Sequence, residues 1–225
     1  RIFGESHLEE IAARHGIALH AWVTCWSLDE VAAERRATLE AGGRLMRDAQ
    51  GNDLPWLCPS HPENQKLVLA GIASLASNGV HGIHLDYIRY PEQGCYAAAT
   101  RAAFERFQGE AAGDWPRAVL PGGASADAFQ TFRREEIARF VKATADTARQ
   151  FNPGIVLSAA VFPDPATARS LGQEWPAWLR EKSVDYVCPM AYTENAATFA
   201  AWIDACRQAA PGAADRLVAG LGTGA

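Results

Sequence analysis

Asp86 is the acidic residue whose surroundings read most clearly as a site. It lies in Val80-His81-Gly82-Ile83-His84-Leu85-Asp86-Tyr87-Ile88-Arg89-Tyr90-Pro91, an apolar run that turns polar and aromatic toward its end. Asn78-Gly79 precedes the run and Pro91 closes it, as for a buried strand between turns. Side chains alternate along a strand. The pattern therefore predicts Ile83, Leu85 and Tyr87 on one face and Gly82, His84, Asp86 and Ile88 on the other. The first face suits packing under helices. The second presents a carboxylate at the C-terminal end of a strand, where parallel α/β folds carry their chemistry. An ionised Asp is seldom buried without a partner or a task. The plainer alternative is an Asp that closes a turn with Arg89.

Other elements must bring further groups to that strand. Residues 7–15 have helical spacing and end at Gly16, and Ile17 to Thr24 reads as a strand. A long polar, Gly-rich connection over 27–62 follows, of a length that is often functional. A helix over 62–77 has Leu67, Ala70, Gly71 and Leu75 as its expected inner stripe. Beyond Pro91 come a short helix near 97–109, a Gly/Pro-rich segment, and a strong helix over 125–150 with Phe129, Phe132, Ile137, Phe140, Val141 and Thr144 inward. Then follow a strand (155–162), a helical region (166–182), a strand (184–192), a helix (196–209) and a fifth strand (217–221). The alternation has no hairpin signals and reads as parallel βα units. The long insertions follow strands rather than helices, the asymmetry of a TIM-type (β/α)₈ barrel. Five strands are visible, so about three would be missing from a complete barrel. An open doubly wound sheet is the alternative, weakened by the lack of a Gly-rich phosphate loop.

Around one axis the inward set is His20, Trp22 and Thr24, then His84 and Asp86, then Ser158 and Ala160, then Met190 and Tyr192. The mouth adds Trp26, Arg89, Tyr90, Asp164 and Glu194. Aromatic rings stack on sugar faces, and carboxylates, hydroxyls and Arg fix sugar hydroxyls. Of the 7 Trp, Trp175, Trp178 and Trp202 are assigned to helix packing, and Trp22 and Trp26 to the site. Glycoside hydrolysis ordinarily needs two carboxyl groups. Asp86 is the first, and Asp164 and Glu194 are the candidates for the second. Asp185 begins its strand, the stability end of a barrel, and reads as structural. His20, His84 and Asp86 match no metal motif, and Ser158 lacks a nucleophile elbow. No cofactor is expected.

The chain has 225 residues, is 48% hydrophobic and 21% charged, and carries a net charge of −5, which fits one large core. Its scattered cations give no footprint for nucleic acid, and no apolar run approaches the ~20 residues of a membrane span. The five cysteines show no zinc spacing; a disulfide among Cys25, Cys58 and Cys95 and free thiols both remain open. Oligomeric state is not legible.

Residues 81–91 resemble the Asp-Gly-Ile-His-Leu-Asp-Tyr-x-Arg-Tyr-Pro stretch of the bacterial glycosyl-hydrolase-like family 10. Ala13 to Trp22, Cys58-Pro59-Ser60-His61-Pro62-Glu63, Phe132-Arg133-Arg134, Glu174 to Leu179 and Val184 to Thr193 are also similar to that family. His81 and Phe132 depart from it, standing where the family has Asp and Trp. The resemblance implies one barrel domain over 1–225, incomplete at both ends and covering strands three to seven. It implies a secreted or lipid-anchored envelope protein (a lipoprotein in the second case) that hydrolyses polysaccharides of N-acetylated amino sugars, of the peptidoglycan or poly-N-acetylglucosamine type. Family 18 chitinases are more distantly similar: Met190-Ala191-Tyr192 fits their Met-x-Tyr, whereas their acid Glu aligns with Ile88, which cannot donate a proton. The sequence therefore predicts a glycoside hydrolase using Asp86. A glycan-binding barrel without catalysis and a metal-dependent sugar deacetylase are the alternatives.

Overall fold

The computed structural model describes residues 5–222. The chain runs α1 (Glu5–Arg14), β1 (His20–Thr24), α2 (Ala33–Ala41), β2 (Leu45–Arg47), β3 (Asp53–Leu57), α3 (Pro62–Ser77), β4 (Gly82–Asp86) and α4 (Ala98–Gln108). It continues through α5 (Ala126–Phe151), β5 (Val156–Val161), α6 (Pro165–Ser170), α7 (Trp175–Arg180), β6 (Tyr186–Pro189) and α8 (Ala196–Ala209).

Four strands form one parallel sheet in the order β1-β4-β5-β6. That order follows the chain and never reverses, which is the path of a barrel wall and not of a doubly wound sheet. The expected strand at 217–221 is reduced to two parallel bridges on β6, Val187 with Leu217 and Met190 with Gly220. Among the described residues the outer edge of β1 pairs with nothing.

The connection after β1 holds the antiparallel hairpin β2–β3, contrary to the expectation of no hairpins. Asp48 builds its turn by accepting from the amides of Gln50 and Asn52, and Gly51 supplies a positive φ of 88°. The expected helical region over 166–182 holds two short helices, α6 and α7, separated by residues 171–174.

The core lies between the sheet and α3, α5 and α7. α5 buries its expected stripe. The stripe of α3 is rotated from the expected one: Asn64, Ile72 and Ala76 are buried, and Leu67 is exposed. Asn64 is inward because its amide donates to the carbonyls of Arg44 and Cys58. Trp175 and Trp178 pack in this core as expected. Asp185 accepts from the Leu157 amide at 2.7 Å and pairs with Arg149, the structural role read for it. His81, exposed at the strand start, accepts from the Leu19 amide through Nδ1.

Candidate active site

The register of the sheet places the polar side chains in rows. Trp22, His84, Ser158 and Tyr186 lie side by side across four strands. Thr24 and Asp86 are neighbours in the next row toward the C-terminal end. His20 lies one row below, its ring packed over Gly82 so closely that a Cβ there would clash. Tyr186, which sequence reasoning missed, meets this ring with its hydroxyl 3.5 Å from Nδ1.

Both Asp86 oxygens are engaged. Oδ2 accepts from the Trp22 indole N–H at 3.1 Å, and Oδ1 accepts from the Tyr87 amide at 2.7 Å. These donors fix the carboxylate at the strand end, facing the open side of the sheet. His84 Nδ1 lies 2.8 Å from the Ser158 hydroxyl. Burial pulls the His84 pKa down; the negative charge of Asp86 opposes this and the nearby His20 adds to it. His84 thus sits beside Asp86 as a neutral imidazole at pH 7. His20, His84 and Asp86 do not gather into a ligand set, and the described residues contain no cluster of three or more metal-ligating side chains.

The alternation expected through Ile88 fails at Tyr87. Its φ is +51°, a left-handed conformation rare for a residue with a side chain. This bend resets which face each following residue meets. Ile88 is fully buried in the core instead of sharing Asp86's face, and Arg89 turns toward the site. Tyr90 is also fully buried, which corrects its assignment to the mouth: its hydroxyl donates to Glu136 Oε2, and the Arg133 guanidinium covers its ring. Trp26 needs the same correction. Beyond Thr24 the chain leaves β1 for a bridge between Ser27 and Trp56, and Trp26 turns into the core against Phe140 at 4.5 Å.

Arg89 stands among the rings of Trp56, Tyr87 and Phe162, 5.1, 5.4 and 5.1 Å from their centroids. Sequence reasoning had not selected these rings. Burial lowers the guanidinium pKa, against the attraction of Asp86, Tyr87 and Glu92. Arg89 borders a recess of about 370 Å³ whose walls include Phe162, Asp164, Met190, Tyr192 and Trp202. Met190 and Tyr192, both candidates from the sequence, line the same recess as Arg89. The structure also moves Trp202 there from its assigned packing role. A smaller recess of about 120 Å³ opens beside Trp22, Thr24 and Tyr87 and includes Asp29 and Glu30, two carboxylates that sequence reasoning passed over.

Asp164 faces the larger recess while capping α6. It accepts from the Thr167 amide and hydroxyl at 2.8 and 2.6 Å, and these bonds lower its pKa. Glu194 is exposed on the loop before α8, where Asn195 is the cap.

The family model described as Glycosyl hydrolase-like 10 matches residues 9–224. No curated protein sequence matches the chain. The chain is similar in structure to the PgaB (BpsB) glycoside hydrolase domain from Bordetella bronchiseptica, with a TM-score of 0.72 at 18% identity over 95% of this chain. It spans 63% of that domain's length. It is also similar to the catalytic domain of a β-amylase from Paenibacillus polymyxa, with a TM-score of 0.64 at 12% identity, covering 97% of this chain and 74% of the other. A third likeness is to Ega3 from Aspergillus fumigatus in complex with galactosamine, with a TM-score of 0.51 at 11% identity, covering 96% and 64%. These likenesses show the fold, a parallel α/β sheet forming part of a (β/α)₈ barrel.

Proposed function

Because the chain belongs to the glycosyl hydrolase-like 10 family, we propose that it is a glycoside hydrolase acting on a cell-envelope glycan rich in amino sugars, outside the cytoplasm. The observation that carries this reading is Asp86, held by the Trp22 indole and the Tyr87 amide at a strand's C-terminal end beside an aromatic recess. The Bordetella domain is named a glycoside hydrolase, and the Aspergillus protein was solved with an amino sugar. The first supports the reaction class and the second the substrate class.

In this reading Asp86 acts as the carboxylate that faces the anomeric carbon and stabilises its developing positive charge. Both its oxygens accept hydrogen bonds, which hold the carboxylate in one orientation. Trp22, Tyr192 and Trp202 offer ring faces to the sugar, and His20, His84 and Arg89 offer polar contacts. Of the two proposed companions, Asp164 is bonded to the Thr167 amide and hydroxyl, which lower its pKa and disfavour it as the proton donor. Glu194, on the loop before α8, remains as the proposed companion.

The test is cleavage of peptide-free peptidoglycan strands and partly deacetylated poly-N-acetylglucosamine by the full-length protein, followed by mass spectrometry. Shortened fragments from the parent and a loss of at least about 10²-fold in Asp86→Asn are expected. An Asp86→Asn variant that cleaves at the parental rate removes the assignment. One observation favours a second reading. Ile88, which takes the place of an acid Glu, is sealed in the core, as in a barrel that binds glycans without cutting them. Intact strands with protein retained on them would establish that reading.

A further inference from the structure

Arg89 presents a forked set of donors that a sugar hydroxyl engages only singly. Its guanidinium is half-buried and flanked by three aromatic rings. Among the described residues no carboxylate comes within 4.0 Å of it. The carboxylates nearest in effect are engaged elsewhere or in solvent: Asp86 with Trp22 and Tyr87, Asp164 with Thr167, and Glu92 in water. Ring faces attract the cation but accept none of its N–H donors in a fork geometry. The rings also hold the guanidinium in one place, so little entropy is lost when its donors are engaged. The recess it borders is lined by Phe162, Met190, Tyr192 and Trp202, surfaces that stack on a pyranose while the guanidinium reads a substituent, and by Asp164, whose Oδ2 is taken up by Thr167.

A planar fork with free donors matches a carboxylate in two parallel hydrogen bonds. We propose that Arg89 receives a carboxylate carried by the glycan, so that the substrate contains an acidic pyranose, either a uronic acid or an amino sugar with a lactyl-ether carboxylate. This inference rests on the glycan reading above and narrows it to acidic strands.

The test is calorimetric titration of the full-length protein with two acidic oligosaccharides, one uronate-containing and one bearing lactyl ethers. Each is paired with its own carboxyl-reduced counterpart, which keeps the ring and loses the charge. The parent is expected to bind at least one acidic glycan about tenfold or more tighter than its reduced form. Which glycan shows the ratio identifies the source of the carboxylate. Arg89→Gln is expected to bring the ratio close to one. Arg89→Lys, which keeps the charge without the fork, is expected to give an intermediate ratio. A parental ratio of one for both pairs overturns the proposal, as does a ratio that survives Arg89→Gln. If Arg89→Gln does not fold, the parental and Arg89→Lys ratios decide. Cleavage of a neutral strand together with a ratio of one would remove this inference and leave the hydrolase reading standing. Failure to bind or cleave any glycan would remove both.

Discussion

At Tyr87 a single backbone dihedral selects the side chains that face the candidate site. With φ at +51°, Ile88 goes into the core and Arg89 comes out among the rings. A β-branched residue tolerates this conformation worst and glycine best. Tyr87→Val is therefore expected to lower stability by about 1–2 kcal/mol, and Tyr87→Gly by less, as measured by urea unfolding. Both remove one ring from around Arg89, so both are expected to weaken glycan binding. A variant that weakens binding only in proportion to its stability would mean that the ring itself contributes nothing. Alternation read from the sequence places Asp86 and His84 correctly because they lie inside β4. It misplaces Ile88 because alternation is a property of extended backbone and ends where the left-handed residue stands, and the same bend takes Tyr90 from the expected mouth into the core. Trp26 is misplaced for a related reason: its strand ends two residues earlier, and nothing in the residue types announces that the chain turns there.

The elements behind the site are tied to it by buried polar groups. Tyr90, one residue after Arg89, donates to Glu136 on α5, and Ser60 ahead of α3 donates to the same oxygen at 2.8 Å. Burial raises the Glu136 carboxyl above its ordinary 4.5, against the opposing effect of these two bonds. The folded state therefore binds a proton more readily than the unfolded one. Stability from this group is present below the unfolded pKa of 4.5 and is lost as pH rises through the folded pKa. Glu136→Gln keeps an acceptor for both hydroxyls and carries no charge. Thermal unfolding of the parent and the variant at pH 4.5 and pH 7 checks this. The variant is expected to gain on the parent as pH rises, and a constant gap in Tm would show that Glu136 titrates alike in both states. α5 itself was legible because its apolar residues repeat with the helical period over 26 residues. The phase of α3 was not, since Asn64 is a polar residue facing inward to serve backbone carbonyls. The hairpin β2–β3 escaped because its strands have only three and five residues and Pro55 interrupts the second. Trp202 escaped because a Trp that packs a helix and a Trp that borders a recess look alike in a list of residues.

On the scale of the molecule, a sheet in chain order with every long insertion at one end accounts for why one face collects the candidate site. That face is lined from four strands, so its geometry depends on the sheet staying whole. The edge of β1 that pairs with nothing among the described residues is where this dependence can be read. Cys25 N–H donates to the Asp86 carbonyl, and the Leu19 carbonyl accepts from Gly82. Odd-numbered backbone groups thus point to β4, and those of His20, Trp22 and Thr24 point away from it. In deuterated water the latter three amides are expected to label at nearly the rate of an open coil. The Val23 amide and those of β5, which lies between two strands, are expected to stay protected until larger openings occur. A single strand would then hold two populations of amide protons, and exchange mass spectrometry with residue resolution would reveal them. If His20, Trp22 and Thr24 proved as slow as Val23, that edge would be covered in solution, and the rate would report the strength of the cover.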